Sequence, residues 1–417
     1  MKYNFSENSR IIKNKDKVVL GNRENGRWVR ISKEVYDILN LGIVNNCSID
    51  ELKISLYDDE DREYIGSIYK KLCFIGLIKD KNNKQVLGNK IASFEITHRC
   101  NLKCIHCCID ADGIISDKKD LTTQEIKKAL DRLIEWNPER IMLSGGEPML
   151  RKDFIEILTY LKKHYNGKIV VSTNGTLIND QNVDILAKSA YQIDISIDGV
   201  DEQTCSTVRG AGIFDKVIKS VKLLKNTGFE KITLSMVVAD KNKGLEDRFN
   251  KLNEDLGTRA IIRGFSAVGR GKDNKVYFSD LGEDEVYISD KYLNNDYDKP
   301  IRMCNCSAGK RELFVSYNGD IYPCPSFIKS SYLLGNILSI NKIEELPSFK
   351  NKNISEYDLL DMLNLKNYNN CKKCKVNLFC WTCPGSLEGL KDNKLGIENK
   401  CKKIKPVLYK RVWGERI

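Results

Sequence analysis

The chain reads as an α/β protein built on a parallel sheet, and three observations predict this. Between about residues 92 and 263, short apolar runs alternate with amphipathic helical patterns six times, the signature of parallel strands joined by right-handed crossovers. A segment with hairpin and helix signals precedes this region, and a cysteine-dense segment follows it. Residues able to do chemistry fall just after the apolar runs, at the carboxyl ends where such sheets place their sites.

A length of 417 residues allows two or three domains. No apolar run approaches a membrane span, and the first residues, Met-Lys-Tyr-Asn-Phe-Ser, lack an apolar signal core, so a cytoplasmic protein is expected. Fifteen cysteines without an export signal point to metal–sulfur chemistry rather than a disulfide framework. They cluster: three lie between residues 100 and 107 and eight lie beyond residue 300. The formal charge of +11 suggests acidic partners, an acidic peptide or an acidic redox protein. Because the lysines are interleaved with acids along helices, nucleic acid is disfavoured.

In residues 1–85, Val18-Val19-Leu20 and Trp28-Val29-Arg30-Ile31 flank Asn25-Gly26, a hairpin signal. Ser32 can cap a helix whose Val35, Ile38 and Leu39 share one face. Ser48 and Glu51 form a capping box for a second helix. A third helix carries Tyr64, Ile65, Ile68, Tyr69, Leu72 and Cys73 and stops at Gly76, after which Leu77-Ile78 reads as a returning strand. This order is winged-helix-like. It resembles the small recognition domain of enzymes that modify ribosomally made peptides, in which a leader peptide adds as a strand to a sheet edge. A DNA-binding winged helix is the competing reading. Cys47 and Cys73 read as small core residues.

From residue 90 to 265, strands are expected at Phe94–Thr97, Arg140–Ser144, Lys168–Ser172, Gln192–Ile197, Lys231–Val238 and Arg259–Arg263. Helices are expected at Thr122–Trp136, capped by Thr122 and Glu125, and at Asp153–His164. Directly after the first strand comes Cys100-Asn101-Leu102-Lys103-Cys104-Ile105-His106-Cys107. Three thiolates so spaced can hold three irons of a [4Fe–4S] cluster and leave the fourth open; a zinc knuckle or buried thiols are the plainer alternatives. Ser144-Gly145-Gly146-Glu147-Pro148 follows the second strand, where glycines admit a close approach and a carboxylate can receive an ammonium. Ser172-Thr173-Asn174-Gly175-Thr176 follows the third, and Ser196, Asp198, Gly199 and Arg209 follow the fourth.

Together these motifs resemble the radical S-adenosylmethionine (SAM) enzymes. The resemblance implies a partial (β/α)6, TIM-like barrel in which Cys100, Cys104 and Cys107 hold the catalytic cluster. It also implies that Gly145, Gly146, Glu147, Pro148, Thr173, Asn174, Ser196 and Arg209 contact SAM. Asp198-Gly199 reads as a tight turn, Cys108 as no ligand of this cluster, and Cys205 as structural.

Residues 266–303 read as a linker with a bridging segment, and residues 304–417 as a third domain. The order Cys304, Cys306, Cys324, Cys371, Cys374, Cys380, Cys383, Cys401 resembles the SPASM extension of radical SAM enzymes, which holds two auxiliary [4Fe–4S] clusters. By that resemblance Cys306, Cys324 and Cys383 serve the first, with Cys304 as candidate fourth ligand, and Cys371, Cys374, Cys380 and Cys401 serve the second. Only two residues separate Cys380 from Cys383, where three are commoner. Two zinc sites are the alternative for the same cysteines.

The resemblance implies SAM and three [4Fe–4S] clusters, a precursor peptide whose leader meets the N-terminal domain, and a flavodoxin or ferredoxin donor. Its closest architectural match is the sactisynthase type of peptide maturase, which joins a cysteine sulfur to a carbon of another residue. A carbon–carbon cross-link is the neighbouring alternative. Formylglycine maturation of sulfatases is disfavoured because Pro325, not an aspartate, follows Cys324. An iron–sulfur DNA-binding regulator is the most distant.

Overall fold

The computed structural model describes residues 2–78, 89–111, 120–282, 285–294, 300–346, 369–380, 383–390 and 392–414. The boundary expected at residue 85 lies outside them. The chain forms two compact units that cut across the sequence order. One gathers Met1–Gly88, Glu283–Ser307 and Ser355–Ile417, and the other holds Asn89–Gly282 and Ala308–Ile354. The segment beyond residue 304 therefore contributes to both.

In the first unit, β1 (Ser9–Asn14), β2 (Lys17–Asn22) and β3 (Trp28–Ser32) form an antiparallel sheet, followed by α1 (Lys33–Val44), α2 (Ile49–Ile54) and α3 (Asp59–Phe74). Ser32 accepts from the Val35 N–H, and the Ser48–Glu51 capping box is formed. The first strand has no counterpart in the sequence reading. Its six residues hold only two apolar side chains, too few for a periodic signal. Leu77-Ile78 makes only an isolated bridge from Ile78 to Phe5 rather than a strand.

The period of two in β2 divides its side chains between two cores. Val18 and Leu20 join Val29, Ile31, Leu39, Leu52, Ile65 and Leu72 beneath the helices. Val19, with Ile12, faces the other way and meets Ile404, Leu408, Val412 and Trp413 of the C-terminal helix Lys394–Trp413. Cations close that helix's last turn: Arg30 Nη1 donates to the Val412 carbonyl (2.9 Å) and Lys17 Nζ to that of Trp413 (3.3 Å). The N-terminal sheet is thus a shared wall, apolar on both faces, and not a separately folded module.

In the second unit six parallel strands run in order: β4 (Ile91–Glu95), β5 (Arg140–Ser144), β6 (Lys168–Thr173), β7 (Gln192–Ser196), β8 (Ile232–Val238) and β9 (Arg259–Gly264). The helices between them include α4 (Thr123–Glu135), with its Thr122–Glu125 capping box, α5 (Phe154–His164) and α6 (Glu202–Arg209). Fully buried Ile141, Leu143, Val171, Ile193, Ile195, Leu234 and Met236 alternate with polar Ser144, Ser172, Asp194, Ser196, Thr233 and Ser235. One face of the sheet is therefore dry and the other polar. The sheet does not stop at β4. There it is extended by β10 (Glu312–Val315), parallel to β4, and then by antiparallel β11 (Asp320–Tyr322) and β12 (Gly335–Asn336). The first strand accordingly begins at Ile91 rather than Phe94, because β5 and β10 supply partners to Ile91–Ser93. Among the described residues no helix is long and apolar enough to cross a membrane.

Trp413 is fully buried, and its indole N–H donates to the Lys375 carbonyl at 3.0 Å. Trp413→Ala is expected to cost about 3–5 kcal/mol, read as a lower denaturant midpoint by tryptophan-independent circular dichroism. A loss below about 1 kcal/mol would show that this shared core does not support the N-terminal sheet.

Candidate functional site

The backbone leaving β4 turns into the three-cysteine loop, and each of the three sulfurs meets an N–H donor. Leu102 N–H points to Cys100 Sγ (3.4 Å), Ala111 N–H to Cys107 Sγ (3.3 Å) and Arg209 Nη1 to Cys104 Sγ (3.6 Å). Asn174 Nδ2 lies 3.9 Å from Cys100 Sγ. Cys100 and Cys104 are buried and Cys107 is half-buried. Burial pushes the Cys100 thiol up to about 11 and raises that of Cys104 against the pull of Arg209. Without a cation Cys100 and Cys104 would stay neutral thiols, yet each of the three sulfurs is presented with a donor suited to a thiolate. This donor set fits a metal–sulfur cluster. Cys108 is exposed.

The Gly145–Pro148 turn meets this loop backbone to backbone. A Cβ on Gly145 would lie 2.5 Å from the Thr97 carbonyl oxygen, and one on Gly146 2.4 Å from that of Arg99. Gly146 N–H donates to Thr97 (2.9 Å) and Glu147 N–H to Arg99 (2.8 Å). The close approach that requires glycine is therefore made by the protein to itself, not by a ligand as the motif alone suggests. Glu147 also differs from expectation. Its carboxylate is fully buried and accepts from the Thr173 hydroxyl (2.8 Å), Asn174 N–H (2.7 Å) and Met149 N–H (3.0 Å). Burial raises its pKa although those donors oppose the rise. It ties the end of β5 to the end of β6 and shows no open face to an ammonium. Pro148 opens a short 3-10 turn directly after it.

Asn174 carries the tie onward. Its Nδ2 donates to Asn101 Oδ1 (2.8 Å), while Asn101 Nδ2 reaches Thr176 Oγ1 (2.9 Å). Ser196 is half-buried at the end of β7, and the Ser235 hydroxyl lies 3.4 Å from its own.

Asp198 is the residue that the sequence reading passed over. It is 3 % exposed, sits at φ +52°, and accepts from Val237 N–H (2.6 Å), His106 Nε2 (2.7 Å), Arg209 Nε (2.7 Å) and Arg209 Nη2 (2.5 Å). Burial alone would raise its pKa, but the guanidinium and imidazole beside it hold the carboxyl far below the usual range. Asp198 thus pins Arg209, whose remaining nitrogen reaches Cys104, and pins His106 of the cysteine loop. An Asp-Gly pair is common in plain turns, so only its left-handed position between a His and an Arg could have marked it. Cys205 is fully buried and donates to the Ile197 carbonyl at 3.0 Å.

The segment after β9, expected as a linker, is a clamp on the same loop. Arg270 N–H donates to the Cys107 carbonyl (3.0 Å), Nη1 to Cys104 (3.2 Å), Nη2 to Ala111 (2.6 Å) and Nε to Asp110 Oδ1 (3.0 Å). Gly269 has φ +54°, and a Cβ there would lie 2.5 Å from the Cys107 carbonyl oxygen. Phe278 stacks on both Phe265 (4.5 Å) and His106 (5.8 Å). The run Gly269-Arg270-Gly271 was the available signal, masked by a polar composition that resembles linkers.

The C-terminal cysteines are divided between the units. In the first unit, Cys371, Cys374 and Cys401 act on one another electrostatically. Burial pushes the Cys380 thiol up to about 12, with Cys304 among its closest charged neighbours, and burial lowers Lys400 beside both to about 8. Cys304, expected with the first auxiliary set, thus stands beside Cys380 of the second, because its N–H is tied to the Leu378 carbonyl (2.6 Å). Cys306 and Cys383 are half-buried in the same unit, and Cys324, buried, belongs to the second.

The Radical SAM superfamily model matches residues 94–248, and the SPASM model, an iron–sulfur cluster-binding domain, matches residues 304–384. The chain is 32% identical to "Mycofactocin maturase MftC" of Mycolicibacterium smegmatis over 265 residues, covering 59% of this chain and 67% of that protein. It is 29% identical to "Antilisterial bacteriocin subtilosin biosynthesis protein AlbA" of Bacillus subtilis over 337 residues, 74% of this chain and 70% of that protein. Among solved structures, Streptococcus suis SuiB bound to S-adenosylmethionine superposes with a TM-score of 0.52 at 17% identity, covering 94% of this chain and 97% of that one. SuiB has also been solved bound to its precursor peptide SuiA.

Removing the clamp should loosen the loop without unfolding the sheet. Arg270→Ala deletes three charge-assisted side-chain bonds, each worth about 1.5–3 kcal/mol. Iron retained per chain after anaerobic reconstitution and desalting is expected to fall, with far-ultraviolet circular dichroism unchanged. Wild-type iron content in Arg270→Ala would exclude the clamp role.

Proposed function

The chain belongs to the radical SAM superfamily and carries a SPASM iron–sulfur domain, and from that premise we propose that it is a peptide maturase. In this reading it installs a thioether between a cysteine sulfur and a carbon of another residue in a ribosomally made precursor peptide. The observation that carries the reading is the similarity to a bacteriocin biosynthesis protein across 337 residues, which extends well beyond the barrel. The chain also shares its fold with SuiB, a protein solved with a precursor peptide.

A [4Fe–4S] cluster and SAM, when bound, supply a 5′-deoxyadenosyl radical able to take hydrogen from unactivated carbon. The chain's residues bind and aim them. Cys100, Cys104 and Cys107 hold three irons. Gly145 and Gly146, packed on Thr97–Arg99, together with Thr173 and Asn174 would line the site that receives the methionyl part of SAM, and Glu147 and Pro148 keep that turn in shape. Ser196 and the two N–H groups of Arg209 left over by Asp198 and Cys104 would receive the SAM carboxylate. Asp198 fixes the guanidinium plane, so no ordering is required when SAM arrives.

Thioether formation removes one hydrogen from carbon and one from sulfur. One leaves as a hydrogen atom; the other leaves as a proton and an electron. That electron needs an acceptor, and in this reading auxiliary clusters of the SPASM domain would supply it. Cys371, Cys374, Cys380 and Cys401 would serve one of them, with Cys304 beside Cys380. The leader of the substrate would add as a strand to an edge of the β1–β3 sheet. Pro325 after Cys324 offers no carboxylate to take a proton, which weighs against formylglycine chemistry. The similarity to a protein named mycofactocin maturase keeps a different SPASM-type peptide modification, such as a carbon–carbon cross-link, as the second reading.

The test is to find a short cysteine-bearing reading frame next to this gene and to follow its peptide by mass spectrometry after incubation with reconstituted enzyme, SAM and dithionite. Loss of two hydrogens with one cysteine newly resistant to alkylation is expected, and Cys104→Ala is expected to abolish it. Loss of two hydrogens with every thiol still alkylated would replace the thioether by the second reading. SAM cleavage with an untouched peptide would overturn the substrate.

A further inference from the structure

The polar face of the six-stranded sheet carries its side chains in rows, because the strands are paired in register. Glu95 at the end of β4 stands level with Ser144 of β5, Ser172 of β6 with Asp194 of β7, and Asp194 with Thr233 of β8. The Leu143–Val171 pair brings Ser144 level with Ser172, so the row is continuous from β4 to β8. Two residues further along the same chain segments, one step nearer the carboxyl edge, come Thr97, Gly146, Asn174 and Ser196. The last three would line the SAM site. Two buried carboxylates, Glu95 (4 % exposed) and Asp194 (6 %), therefore sit one step beneath it.

The two are tied in opposite directions. Gln192, from the row below, donates its Nε2 to Asp194 Oδ1 at 2.7 Å and draws that carboxylate away from the carboxyl edge. Glu95 is drawn toward the edge. Its Oε1 meets His98 Nδ1 at 2.8 Å, and the imidazole packs against the ring of Tyr317, just after β10, at 4.9 Å. Asp120 locks the backbone that carries this histidine, accepting from Thr97 Oγ1 (2.6 Å), His98 N–H (3.2 Å) and Arg99 Nε (3.1 Å). No described residue donates to Glu95 Oε2. Besides His98, the Tyr317 hydroxyl and the Cys108 thiol feel the charge of Glu95, and Arg263 acts on the same thiol. Cys108 and Arg263 are exposed, so this side of the carboxylate gives onto open space rather than dense core.

We propose that Glu95 is the general base of the reaction, the group that takes the proton from the substrate's cysteine thiol, with His98 as its positioning residue. The proposal rests on the thioether reading. The S–H bond breaks and an O–H bond forms on Oε2. The electron pair stays with sulfur as the carbon–sulfur bond closes, and the one surplus electron leaves to an iron–sulfur acceptor, as that reading already requires. A base must stand within reach of the proton it takes, with its orientation fixed by a third group. Glu95 has one oxygen held by His98 and one turned to no described donor, a step below the residues that would receive SAM. The other buried carboxylates near the site are committed elsewhere. Glu147 spends both oxygens on Thr173, Met149 and Asn174, and Asp198 spends both on Val237, His106 and Arg209.

The experiment uses the full-length, iron-loaded chain with SAM, dithionite and the cysteine-bearing peptide of the neighbouring reading frame. Glu95→Gln keeps an acceptor for His98 but cannot take a proton. It is expected to keep its iron and to form 5′-deoxyadenosine within about twofold of the wild-type rate, while thioether forms about 100-fold more slowly. Raising the pH from about 7 to about 9 ionises a thiol of pKa near 8.5 without help. That is expected to restore most of the thioether in Glu95→Gln and to change wild type little. Glu95→Asp is expected to recover part of the rate at the lower pH. Without SAM, exchanging the peptide's cysteine for aminobutyrate is expected to weaken calorimetric binding to wild type about fivefold and to leave binding to Glu95→Gln nearly unchanged. Equal loss of deoxyadenosine and thioether at both pH values would reduce Glu95 to a structural role and overturn the proposal, as would a wild-type thioether rate in Glu95→Gln. The uncoupled, pH-rescued pattern in Asp194→Asn instead would overturn it in favour of that carboxylate. A wild-type chain that forms no thioether would overturn the thioether reading and the proton transfer with it; a wild-type thioether leaves that reading standing whatever Glu95→Gln does.

Discussion

The site depends on one buried carboxylate. Asp198 collects the guanidinium of Arg209, the imidazole of His106 and the backbone N–H of Val237 on two oxygens. Those three groups come from a helix, from the cysteine loop and from the next strand, so a single side chain sets the distances among them. Breaking such a buried network by removing one charge costs about 3–5 kcal/mol, because its partners remain buried and uncompensated. The same pinning turns Nη1 of Arg209 toward Cys104.

A loop of eight residues with three cysteines has little reason to hold its shape alone. Its polar backbone groups need partners and its thiols repel one another once ionised. The structure supplies constraint from three sides. The Gly145–Gly146 backbone closes on Thr97–Arg99, Asn174 grips Asn101, and Arg270 threads beneath the carbonyls of Cys104 and Ala111. A ligand site assembled this way is rigid before anything binds, which is what aiming a reactive species requires.

The first unit shows a different economy. A three-stranded sheet with helices on one side leaves its other face bare, and a small domain with a bare face is marginal. Here the C-terminal helix covers it, and the cysteine turn at Cys371–Cys374 rides on that helix. Chain segments nearly 400 residues apart share one core, which couples the integrity of the N-terminal sheet to that of the C-terminal cysteine region.

Much of this was legible from local signals. The period of two and the helical stripes placed the six strands and α4, and the Ser48 and Thr122 capping boxes placed helix starts, because these patterns depend on residues within one turn or one strand. The cysteine spacing and the Gly-Gly-Glu-Pro and Thr-Asn-Gly runs pointed to the superfamily for the same reason. The tertiary structure decided what depends on partners distant in sequence. Asp198 became a hub only because Arg209, His106 and Val237 fold around it. Glu147 turned inward because Thr173 and Asn174 donate to it. Residues 265–278 became a clamp because the loop's carbonyls lay within reach of Arg270. A hydrogen bond or a shared core between residues dozens to hundreds of positions apart leaves no periodicity in the sequence, and only the folded chain reveals it.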